Sequence, residues 1–253
     1  MLISLTSTEQ GQMPSNSTKV LMTGAAGRIG CSLRQLLVHE YDFRCLDQKP
    51  LPHVEDMITA DILNFPAVLT AMTGVAAVIH LAANPNPQQP WSEVYTTGIA
   101  GTYNVFEAAR QAGVEKIIYA STNHVVAGWE EEKKQISSEL PVRPDSLYGV
   151  GKACGEALGR FYADHYHLSV ICLRIGSFQV APQFQNINQR SARIWCSPRD
   201  LAQLVSQCLQ QEQLGFQIFH AVSNNQQGYL DFRNAERQVG YQPQDNSRDH
   251  LKP

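Results

Sequence analysis

The chain has 253 residues, 43% hydrophobic and 17% charged, a balance that excludes a disordered polymer and can supply a sizeable core. Twenty Lys and Arg against 23 Asp and Glu leave a net charge of −3, without the basic excess of a nucleic-acid binder. There is no apolar run near the roughly 20 residues of a membrane span, no basic leader of a signal peptide, and no paired cysteine spacing, so the six cysteines read as reduced packing residues of a cytoplasmic protein that binds neither membrane nor metal.

Residues 1–18, polar and without periodicity, are expected to form a flexible tail ahead of a single domain over 19–253. From there apolar strands alternate with amphipathic helices. Strands are predicted at 19–23, 43–47, 57–61, 75–82, 116–121, 169–174 and 216–222. Helices are predicted at 28–39, 66–72, 101–111 (stopped by Gly113), 146–165, 198–211 (Ser197 as N-cap, Pro198 in the first turn) and 232–239 (ending at Gly240). Residues 177–194 form a long polar stretch with no period, expected as a functional loop. The alternation predicts an α/β fold, a Rossmann-like doubly wound parallel sheet, with substrate-binding elements in about 177–253.

Gly24, Gly27 and Gly30 are spaced G-x-x-G-x-x-G between the first strand and the first helix. Glycines there let the backbone approach a pyrophosphate, which the helix N-terminus then holds with its free N–H groups and dipole. A tight turn without ligand uses the same residues, but the strand–helix context favours a dinucleotide. Asp47 closes the second strand, where a carboxylate accepts both ribose hydroxyls and repels a 2′-phosphate, so NAD is expected over NADP.

Tyr148 and Lys152 stand four apart on one helix, hence on one face. A phenol is a poor base near neutrality, and a neighbouring ammonium is expected to lower its pKa. Alone, the pair is compatible with a solvated helix face. It is joined by Ser121-Thr122-Asn123-His124 at the C-terminal end of a strand, the edge where open parallel sheets bind ligands. A hydroxyl there can steady a reacting oxygen. His124 suits either a structural hydrogen bond or substrate contact.

TGAAGRIG, Asp47, Asp61-Ile62, HLAA, YASTNH, LYGVGK and LRIGS together resemble the short-chain dehydrogenase/reductase superfamily in its extended, epimerase/dehydratase-like branch. STNH, RPDSLYG, RIGS, the 190–195 segment and GYQPQDN are most similar to uronate dehydrogenases. The resemblance implies that Arg28, Ile29, Asp61, Ile62, Leu81, Ala82 and Ala83 join the glycines and Asp47 in holding NAD, with Lys152 on its ribose. It implies Tyr148 as base, Lys152 as its partner and Thr122, rather than Ser121, as the catalytic hydroxyl. Asn123, His124 and Ser177 would contact a sugar-acid substrate, and Arg190 would grip its carboxylate as a bidentate fork, although a surface arginine in a polar loop fits the sequence as well. The implied reaction is NAD-dependent oxidation at C1 of glucuronate or galacturonate by a homo-oligomer. The alternatives are a nucleotide-sugar epimerase or dehydratase and a non-catalytic NAD-binding regulator. Three positions depart from the pattern: Gly98 in place of Asn, Pro85 in place of a sugar-contacting Ser, and Gly151 in place of the common Ser of Y-x-x-S-K.

Overall fold

A computed structural model describes residues 18–132, 134–180, 188–212 and 214–250. All but the last residue of the expected tail, and residues 181–187 of the polar stretch, lie outside the described residues. In chain order the elements are β1 (Lys19–Thr23), α1 (Arg28–Leu36), β2 (Asp42–Asp47), β3 (Met57–Thr59), α2 (Phe65–Ala71), β4 (Ala77–His80), α3 (Trp91–Glu93), a π-helical segment (Val94–Gly101), α4 (Thr102–Ala112) and β5 (Lys116–Thr122). There follow α5 (Leu147–Tyr166), β6 (Ser169–Ile175), β7 (Ser177–Phe178), α6 (Gln189–Arg193), β8 (Trp195–Cys196), α7 (Pro198–Gln210), β9 (Phe216–Ala221) and α8 (Arg233–Val239).

Seven strands form one parallel sheet in the order β3-β2-β1-β4-β5-β6-β9. β5 and β6 are buried at all seven positions, as strands covered on both faces must be. Side chains alternate between the two layers. Val20 and Met22 of β1 pack with Leu33 of α1 and Leu201, Leu204 and Val205 of α7, whereas Leu21 points into the layer of Val68 (α2), Phe106 (α4) and Tyr162 (α5). The chain winds outward from β1 in one direction through β2 and β3 and in the other from β4. The C-terminal ends of β1 and β4 therefore flank the switch point where such sheets open a crevice.

The structure trims the predicted elements at that edge. β3 ends at Thr59 and β4 at His80, so Asp61, Leu81 and Ala82 lie in loops above the sheet rather than in strands. α1 stops at Leu36, with Leu37 still buried in the core and residues 38–40 facing solvent. Helix also begins well ahead of 101, in α3 and the π-helical segment leading into α4. The described parts of the 177–194 stretch are not a plain loop: β7 pairs with β8, and α6 is capped by Asn188, whose side chain accepts from Ser191 N at 2.8 Å.

Candidate active site

The loop after β1 closes on the loop after β4. Gly24 has φ +71°, and a Cβ on it would sit 2.6 Å from Ala82 N, so no other residue fits this backbone approach. Gly27 precedes α1, and the amides of its first turn have no intrahelical acceptors. Asp47 stiffens the loop from β2, with Oδ2 accepting from Ala26 N at 2.9 Å and Oδ1 from Lys49 N at 3.0 Å.

Two cavities meet over Gly24, Gly27, Leu81 and Ala83. One, about 330 Å³, is lined by Asp47, Ile62, Ala82 and Thr97. The other, about 350 Å³, is lined by Arg28, Ile29 and Gly30 together with Thr122, Tyr148 and Lys152. A glycine cradle that excludes a Cβ, free helix amides and a carboxylate at the far lobe fit a dinucleotide laid across both. Asp61 stands apart from this set. Its Oδ1 accepts from Leu63 N and its Oδ2 from Gln48 Nε2, and its carboxylate closes its own turn instead of lining either cavity.

Ser146 caps α5, accepting from Gly149 N at 3.2 Å, and this starts the helix in the phase that points Tyr148 and Lys152 into the second cavity. Lys152 is 3% exposed; its Nζ donates to Ala120 O at 2.7 Å and lies 4.8 Å from the centre of the Tyr119 ring. Burial lowers its pKa to about 8. Tyr148 departs from expectation. Burial pushes its pKa up to about 12, and a hydrogen bond with Thr122 offsets only part of that. The Lys152 ammonium lies 6.0 Å from the Tyr148 ring centre and is engaged with Ala120, so in the free protein it does not make Tyr148 more acidic.

The two hydroxyls at the end of β5 separate cleanly. Ser121 Oγ donates to Glu156 Oε1 at 2.6 Å, and Glu156 receives both arms of Arg174, at 2.9 and 2.8 Å. Ser121 is thereby tied into a buried ion pair, while Thr122 is left beside Tyr148. Asn123 is buried with its Nδ2 lacking any hydrogen-bond partner, a donor at the cavity wall. His124 Nδ1 meets Asp145 at 2.8 and 3.0 Å, which fixes the ring against Tyr148 with centroids 5.9 Å apart.

Ser177 and Arg190 both line the same cavity, so the polar stretch delivers both to the site. The Arg190 fork, however, is occupied: Nε and Nη2 donate to the two oxygens of Glu130 at 2.6 and 2.7 Å. Sequence reasoning missed Glu130, because W-E-E-E reads as a solvated acidic run. It missed Asp145 because an acid just before a helix reads as part of a cap.

The three departures have distinct surroundings. Pro85 lines the substrate-side cavity. A Cβ on Gly98 meets nothing within 4 Å, and the Gly98 carbonyl accepts from Thr102 Oγ1 at 2.7 Å. A Cβ on Gly151 would sit 2.8 Å from Val94 Cγ1, so this glycine lets α5 approach the π-helical segment closely.

The NAD dependent epimerase/dehydratase family matches over residues 20–194. An NAD-dependent glucose-6-phosphate dehydrogenase of Haloferax volcanii is 39% identical over 249 residues, covering 90% of this chain and 94% of that protein. A uronate dehydrogenase of Pseudomonas putida is 37% identical over 235 residues, covering 90% of this chain and 85% of its own. The crystal structure of a uronate dehydrogenase mutant from Agrobacterium tumefaciens, complexed with NAD, superposes with a TM-score of 0.83 at 28% identity, covering 93% of this chain and 91% of that one.

Proposed function

The chain belongs to the NAD dependent epimerase/dehydratase family and is an NAD-dependent sugar dehydrogenase; from that premise we propose that its substrate is a cyclic hexuronic acid, glucuronate or galacturonate, oxidised at C1 to an aldarolactone. The observation that carries this reading is one cavity that holds Tyr148, Lys152 and Thr122 together with the guanidinium of Arg190.

Gly24, Gly27, the first turn of α1 and Asp47 would hold the dinucleotide, with Lys152 at its ribose. When bound, NAD would supply the acceptor for the hydride lost from C1. Tyr148 Oη takes the proton of the C1 hydroxyl, and Thr122, aligned by the hydrogen bond its Oγ1 accepts from His124 N at 3.3 Å, steadies the same oxygen. Asn123 Nδ2 and His124, the latter oriented by Asp145, bind sugar hydroxyls, with Ser177. Arg190 binds the carboxylate at C6.

A second reading has an observation behind it. The Haloferax relative is named for glucose 6-phosphate, and a guanidinium fork matches a phosphate at C6 as well as a carboxylate. Purified protein with NAD and glucuronate is expected to yield NADH and a lactone seen by NMR, and both should form about 10²–10⁴-fold more slowly in Tyr148→Phe. NADH from glucose 6-phosphate but not from uronates would replace the first reading with the second. An altered sugar without net NADH would indicate an epimerase. We also propose self-association through sheet-flanking helices, at the outer faces of α4 and α5 where Tyr103, Phe161 and Tyr166 are exposed. Light scattering should give a multiple of the chain mass, and a monomer mass would dismiss it.

A further inference from the structure

Arg190 lines the substrate-side cavity with its binding capacity already taken. Both of its fork positions donate to Glu130, and Glu130 is contributed by a different part of the chain. Two short 3₁₀ turns, Asn123–Val125 and Ala127–Trp129, carry the backbone from the end of β5 to Glu130, while Arg190 rises from α6. The Glu130 side chain is 18% exposed and the Arg190 side chain 41%, and Arg190 lines the cavity, so solvent reaches the pair. A carboxylate in bidentate contact with this arginine is the geometry a sugar acid would itself adopt. Glu130 also has a second neighbour. The buried Tyr229 hydroxyl stands beside the Glu130 carboxylate, which raises its pKa further by charge and by hydrogen bonding. A carboxylate leaving Arg190 can accept from Tyr229 and so avoid standing unpaired.

We propose that Glu130 is an internal competitor for the anion of the substrate: it occupies the Arg190 fork in the free protein, and an anionic sugar must displace it to bind. This rests on the reading of Arg190 as the anion anchor given above. Glu130 acts through Arg190 and is a positioning residue that sets selectivity. Neutral aldoses need no displacement and are unaffected by the competition. Anionic ones bind with an apparent affinity reduced by the fraction of time that the fork is free.

The test is Glu130→Gln, which keeps the shape of the side chain and removes its charge. Glucarate, an open-chain dicarboxylate with no C1 hydroxyl to oxidise, serves as a binding probe by titration calorimetry in the presence of NADH. Glucarate should bind Glu130→Gln more tightly than the wild type, roughly tenfold for a fork held by Glu130 nine parts in ten. The KM for glucuronate should fall by a similar factor with the change carried in KM and not in kcat, and the preference for glucuronate over glucose should rise. Equal or weaker glucarate binding in Glu130→Gln, or no binding by either protein, would overturn the proposal. If Arg190-dependent glucuronate oxidation persists alongside equal glucarate binding, the competitor role fails and the uronate reading stands. If glucarate binding tightens but no uronate is oxidised, the competitor role stands and the uronate reading fails.

Discussion

Lys152 shows how a residue is held for function against stability. Its ordinary pKa is 10.5 and burial brings it to about 8, with one hydrogen bond, to Ala120 O, as compensation. Below pH 8 both folded and unfolded chains carry the proton, so the cost of the buried charge, about 3 kcal/mol, is fully present. It fades as pH rises towards 10.5, because the folded chain loses the proton first. Lys152→Met should therefore gain about 1–2 kcal/mol at neutral pH after the lost hydrogen bond is counted, raising Tm by roughly 2–8 °C in calorimetry while abolishing turnover. Unchanged or lowered stability would show that the ammonium is better solvated than its 3% exposure implies. Tyr148, at about 12 in the free protein, starts each cycle protonated, so kcat/KM should keep climbing with pH above about 8 as the phenolate fraction grows. Tyr148→Phe should lower kcat by about 10²–10⁴-fold with NAD affinity retained in a fluorescence titration. The identity and spacing of this pair are legible in the sequence. The direction of the Tyr148 shift is not, since burial outweighs the ammonium and burial is a property of the fold.

At the scale of elements, α5 lies against β5 closely enough that a Cβ on Gly155 would fall 2.2 Å from Tyr119 Oη. One turn of the same helix presents Glu156 to Arg174 of β6 and Ser121 of β5, an ion pair with Arg174 1% and Glu156 4% exposed. Glu156→Ala would leave Arg174 buried and uncompensated, and is expected to cost about 3–5 kcal/mol in urea denaturation. A cost below about 1 kcal/mol would mean that water reaches the guanidinium. The strands and the long helices follow from period and punctuation in the sequence, and Ser146 and Ser197 start α5 and α7 as cap chemistry predicts. The π-helical segment was not legible: its V-Y-T-T-G-I-A-G has no helical stripe, and it is shaped by contact, with Gly101 against Ile62 and Val94 against Gly151. The same holds for α6 and β7–β8, which are too short for any period to emerge.

Across the whole molecule, the switch between β1 and β4 places two cavities on either side of one glycine loop, the lobes proposed for cofactor and substrate. The proposed cofactor lobe is written locally, in glycines and one acid close together in the chain, and such a pattern is legible in sequence. The substrate lobe is assembled from segments as far apart as Pro85, His124, Tyr148 and Arg190, so its residues could be named by resemblance but its charge balance could not. Asp47 braces Ala26 of the loop, and on the proposed reading the same carboxylate would meet the ribose. Asp47→Ala should weaken NAD binding by roughly ten- to a hundredfold in calorimetry, the range of one or two hydrogen bonds to a charged group. Equal affinity would place the ribose elsewhere. The most direct measurement is a comparison of kcat/KM, with NAD, for glucuronate, galacturonate, glucose 6-phosphate and glucose, in the wild type and in Arg190→Ala. A uronate preferred over every other sugar, with the preference lost in Arg190→Ala, is the expected result. Glucose or glucose 6-phosphate turned over faster than either uronate, or a uronate preference that survives Arg190→Ala, would contradict it.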